Sequence, residues 1–64
     1  MKITELNIDD HVIYKAKNMK FEAKATITGI GLKKVGIRIY SINNEYISPI
    51  HKIVHPDNLI FKYW

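Results

Sequence analysis

The sequence predicts a small all-β domain of five short strands curled into a barrel. Three observations carry that expectation. Apolar and polar residues alternate with a period of two over most of the chain, the pattern of strands with one buried face. Turn-forming residues interrupt the alternation at Asp9-Asp10, Lys17 to Lys20, Gly29 to Lys34, Asn43-Asn44, Pro49 and Pro56-Asp57-Asn58. Between these breaks β-branched and aromatic residues predominate, as pleated, half-buried surfaces favour.

Taken in order, Val12-Ile13-Tyr14 is the first β-prone run. In the second, Phe21, Ala23, Ala25 and Ile27 share one face, and Glu22, Lys24, Thr26 and Thr28 share the other. The third sets Val35, Ile37 and Ile39 against Gly36, Arg38 and Tyr40. A fourth run lies around Ile50 to Val54, with the register of residues 42–55 left open, and Ile60-Phe61-Lys62-Tyr63 makes a fifth. Good helix formers at 21–25 are followed at once by Thr26-Ile27-Thr28-Gly29-Ile30, which argues for strand. The single helical turn expected is Pro56 to Leu59, where proline presets φ and Asp57 and Asn58 can bond nearby amides. Ile27, Val35, Ile37, Ile39 and Leu59 are the expected core. An open sheet of five strands would leave exposed edges, and closure into a barrel removes them.

Several of these pieces together resemble SH3-like barrels of the Tudor and KOW kind. Leu6-Asn7-Ile8-Asp9-Asp10-His11-Val12 is similar to their opening Leu-x-x-Gly-Asp-x-Val pattern, with Asp9 where that pattern has glycine. Glu22 to Ile30 resembles their second strand, Val35 to Ile39 the third, and Ile53-Val54-His55-Pro56-Asp57-Asn58-Leu59 the fourth with its closing turn. The resemblance implies one SH3-like domain over residues 1–64. It also implies a binding function, for nucleic acid or for peptide segments, since this fold serves many unrelated roles.

With 64 residues the chain has room for one domain, and a domain of that size buries only about 60% of its unfolded surface. It contains no cysteine, so disulfides and the thiolate zinc frameworks are excluded. Regular packing or self-association as a homodimer would have to supply the missing staple. Met1 to Asn7 has no apolar signal-peptide core, and no apolar run approaches a membrane span. A cytoplasmic protein with no membrane partner is expected. Ten Lys and Arg against six Asp and Glu give a net charge of +4, a bias towards polyanions.

Catalytic and metal constellations are missing. His51 and His55 are four residues apart, which on a strand separates them by roughly 13 Å, too far for one ion. Ser41 and Ser48 lie in no nucleophile elbow, and Gly29-x-Gly31 is too short for a phosphate-binding fingerprint. A non-enzyme without cofactor is expected.

The basic residues are more informative. Lys15, Lys17 and Lys20 cluster in the first loop, and Lys33 and Lys34 occupy the turn between strands two and three. Lys24, Arg38 and Tyr40 are expected on one outer surface of that hairpin. Lys24, Lys33, Lys34, Arg38 and Tyr40 are therefore the candidate nucleic-acid-binding residues, since lysines neutralise phosphate while rings stack on bases. The alternative is a protein-interaction adaptor or small inhibitor that uses an aromatic patch of Tyr14, Tyr46, Tyr63 and Trp64. In Tudor-like relatives exposed aromatics form cages for cations, for which Tyr14, Tyr40 and Tyr46 are the candidates.

Overall fold

The structure is a computed structural model that describes residues 3–62. Strands β1 (His11–Tyr14), β2 (Ala23–Ile30), β3 (Val35–Ile42), β4 (Glu45–Val54) and β5 (Leu59–Lys62) form one antiparallel sheet in the order β4-β3-β2-β1-β5. A 3-10 turn at Ile3–Glu5 precedes them, and a second, Pro56–Asn58, lies between β4 and β5, where the sequence places its one helical turn. No helix among the described residues is long and apolar enough to cross a membrane.

The turns follow from their residues. Asn43 and Asn44 both adopt positive φ, at 52° and 65°, the left-handed conformation that a two-residue hairpin of matching twist requires and that asparagine tolerates. That turn starts β4 at Glu45, earlier than the run at Ile50 suggests. Asp9 has φ 71°, the conformation glycine adopts most readily. Asp10 holds this turn by accepting the Asn7 N–H at 2.9 Å through its carboxylate. At the β2–β3 tip the Gly31 N–H donates to the Lys34 carbonyl at 2.9 Å, and a Cβ at Gly31 would meet that oxygen at 3.0 Å. His55 Nδ1 accepts from the Asp57 N–H at 3.2 Å, capping the second 3-10 turn.

One face of the sheet builds the core from Leu6, Val12, Tyr14, Ala23, Ala25, Ile27, Val35, Ile37, Ile39, Val54 and Leu59. Every residue expected there is buried. The central strand contributes small residues between bulky neighbours: Tyr14 pairs with Ala23 and Ala23 with Ile42, while Val12 pairs with Ala25 and Ala25 with Ile39. Alternating sizes let the face curve without voids. Phe21 departs from expectation: it precedes β2, is 50% exposed, and does not share the core face. Met19 packs against the core instead, held by a turn in which its N–H donates to the Ala16 carbonyl at 3.1 Å.

The sheet is curled but open, in contrast to the closed barrel expected. Only residues 55–58 join β4 to β5, although these strands are the two edges. In a flat five-stranded sheet the edges would stand about 19 Å apart at ~4.8 Å per strand. Four linking residues, mostly wound in a 3-10 turn, reach less than the ~18 Å of an extended connection. The edges must therefore approach at that end. No ladder joins β4 to β5 among the described residues. The strand that would close it carries Pro49, which lacks a donor, inside a break where Ile47, Ser48 and Pro49 oppose Tyr40 alone.

Candidate functional site

The outer face of the sheet is built by register. His11 pairs with Thr26, Thr26 with Arg38, and Arg38 with His51, so these four side chains form one row across β1, β2, β3 and β4. One step further along β3 lies Tyr40. Its ring meets the His11 imidazole edge to face with centroids 6.2 Å apart. The Tyr40 hydroxyl is 3.4 Å from His11 Nδ1, a long hydrogen bond whose direction follows the imidazole tautomer. On its other side Tyr40 stacks with Tyr46 at 6.5 Å and 22° between planes. Tyr46 is 87% exposed and Tyr40 half-buried, so the open aromatic surface is that of Tyr46.

The break in β4 makes this pair. The Asn43-Asn44 turn sets Ser41 opposite Tyr46, and the three residues opposite Tyr40 then reset the ladder to Ile39 opposite Ile50. No Asp or Glu stands in the row of four or beside it at Gly36 and Ile53, which pair with each other towards the hairpin tip. Arg38, Lys33 and Lys34 are exposed and form no ion pair with a described carboxylate. Arg38 is therefore the one permanent charge of that row, with Tyr40 one step along the strand.

Of the residues expected to bind nucleic acid, Arg38 and Tyr40 fall together on this face, and Lys24 adjoins them through its partner Ser41, next to Tyr40 in the chain. Lys33 and Lys34 sit at the hairpin tip, about 20 Å from Lys24 at ~3.3 Å per residue. The basic residues make a track along the hairpin rather than a compact patch. Of the alternative aromatic set, Tyr14 is a correction: it is buried to 4% exposure in the core face. It shares no surface with Tyr40 and Tyr46, and the three form no cage. Tyr63 and Trp64 lie outside the described residues.

Two features escaped the sequence reading. At the tip, Leu32 is fully exposed at 100% beside Ile30 and Ile53. At the opposite end, a groove of about 370 Å³ is lined by Ile13, Lys15, Lys20, Phe21, Glu22, Lys24, Asn43 and Asn44. The Asn43 N–H ties the β3–β4 turn to the Glu22 carbonyl at 3.0 Å, which fixes one wall of the groove. The loop lysines were visible in the sequence, but the outward turn of Phe21 was not.

The histidines occupy separate settings: His11 against Tyr40, His51 in the outer row, His55 as a cap. Among the described residues no group of three or more His, Asp or Glu could hold a metal ion. Comparison with protein-family models, with curated proteins and with solved structures gives no match.

Proposed function

We propose that the chain is a non-enzymatic binding module whose outer sheet face takes single-stranded nucleic acid. The observation that carries this reading is the stacked Tyr40–Tyr46 pair, open to solvent at Tyr46, set beside Arg38 on a face whose central row holds no carboxylate. Rings present stacking surfaces to bases of any identity, while Arg38 and the lysines along the hairpin neutralise phosphates. On the same reading the curled sheet is an SH3-like half-barrel. Its support is the run of five antiparallel strands with a 3-10 turn before the last. The discriminating measurement is binding of a single-stranded oligonucleotide over a salt series, with Tyr40→Ala and Lys33→Ala/Lys34→Ala as controls. Absence of binding at low salt overturns the proposal.

A second reading, a protein-interaction adaptor or small inhibitor, draws on the exposed Leu32, Ile53 and Tyr46. Scattered apolar residues are ordinary on a surface, but Leu32 and Ile53 line one patch at the hairpin tip. This reading gains if nucleic acid does not bind.

A further inference from the structure

We infer that the groove between the β1–β2 loop and the β3–β4 turn is a subsite for one nucleotide of the bound strand, with phosphate at the lysines and base on Phe21. This inference rests on the nucleic-acid reading of the outer face and adds a second stacking position to it. Two loops distant in sequence converge there, bringing Lys15, Lys20, the half-exposed Phe21, Asn43 and Asn44 together beside Lys24 of β2. Lys15 and Lys20 outnumber the single acidic residue of the lining, Glu22, so the groove favours an anion. Asparagine amides supply both donors and acceptors, which suits a base edge or sugar hydroxyl better than a bare inorganic ion.

The fold holds these groups in place. Met19 anchors the loop by donating its N–H to Ala16 and packing on the core, so Lys20 and Phe21 leave the loop at a defined point. Across the groove, Asn43 is tied to Glu22. The groove is also continuous with the aromatic centre: Ile13 and Lys24 are register partners, and Lys24 pairs with Ser41, the neighbour of Tyr40. A strand crossing the Tyr40–Tyr46 pair would run into it.

The test uses the full chain and three probes: thymidine 5′-monophosphate, and oligothymidylates of about 4 and about 12 nucleotides. Backbone amide resonances are followed during each titration. The mononucleotide should shift the amides of Lys15, Lys20, Phe21 and Asn44 saturably. The longer oligonucleotide should bind at least about tenfold more tightly than the shorter, as one added stacked base allows. Phe21→Ala combined with Lys20→Ala should remove most of that advantage and abolish the saturable mononucleotide shifts. Both positions are exposed, and an unaltered amide spectrum elsewhere verifies folding of the variant. Lys20→Ala alone serves as the milder variant and should lower mononucleotide affinity by itself. No saturable shift, shifts confined to Tyr40 and Tyr46, or a length advantage untouched by the double variant would overturn the subsite. If an oligonucleotide still binds, the sheet-face reading survives that loss. Mononucleotide binding in the groove without any oligonucleotide binding would refute the sheet-face reading and, with it, the groove's place along a bound strand.

Discussion

Lys52, on the edge strand β4, holds its ammonium 5.6 Å from the centre of the Tyr14 ring on β1. Two strands, β3 and β2, lie between them in the sheet. In a flat sheet the two backbones would be about 14 Å apart at ~4.8 Å per strand. The contact is thus a consequence of curling, and it bridges the side that no backbone ladder closes. Lysine also suits this edge, since a charge on an unpaired strand discourages pairing with another chain.

That relationship predicts a measurable coupling. At an exposed lysine a cation–π contact contributes about 0.5–1 kcal/mol. Lys52→Met should therefore lower urea stability by that amount in the wild type and in Tyr14→Phe, which retains a ring. In Tyr14→Leu the same change should cost almost nothing. Equal costs in all three backgrounds would assign the effect of Lys52 to packing of its alkyl stem.

Left-handed backbone at Asp9 and Asn44 predicts gains from glycine. Asp9→Gly and Asn44→Gly should each raise stability by up to about 1 kcal/mol, and Asp9→Val should lower it by more than about 1 kcal/mol. Thermal unfolding measures all three. A loss of stability in Asp9→Gly would mean that the aspartate side chain contributes more than relief of its backbone conformation.

The core prediction follows from Ile37, fully buried at the centre of β3. Ile37→Ala should cost about 2–5 kcal/mol, enough to unfold much of a domain this small. Circular dichroism and amide dispersion report the outcome, and a native spectrum at unchanged midpoint would contradict the packing described.

For the outer face, neutralising about four phosphates of a single strand gives a log-affinity against log-salt slope near −3. Lys33→Ala/Lys34→Ala should flatten that slope by about one unit and weaken all sequences evenly. Tyr40→Ala should cost about 1–3 kcal/mol of stacking with little change in slope. Tyr40→Phe breaks the contact with His11 Nδ1 but keeps the ring, so its affinity should stay close to wild type. A slope of zero in the wild type would remove the electrostatic basis of the proposal.

The sequence by itself determined the features set by local physics. Period-two alternation assigned Ala25, Ile27, Val35, Ile37 and Ile39 to one face, and all are buried. Turn chemistry located Asn43-Asn44 and Pro56-Asp57-Asn58 because the conformational preferences of those residues act over a few bonds. Net charge and the loop lysines were likewise legible. Only the tertiary structure decided where counting by twos fails. The register shift at Ile47-Ser48-Pro49 brings Tyr46 onto Tyr40, and no alternation rule foresees a break whose reason lies in the partner strand. Phe21 is half-exposed while Met19 packs against the core, because the strand starts only at Ala23 and a face-by-face count does not hold before it. Tyr14 was legible as an aromatic but not as a core residue, since its burial depends on the small Ala23 opposite it. The open edge, too, was decided in three dimensions: closure needs β4 and β5 to align, and a four-residue link brings them near at one end only.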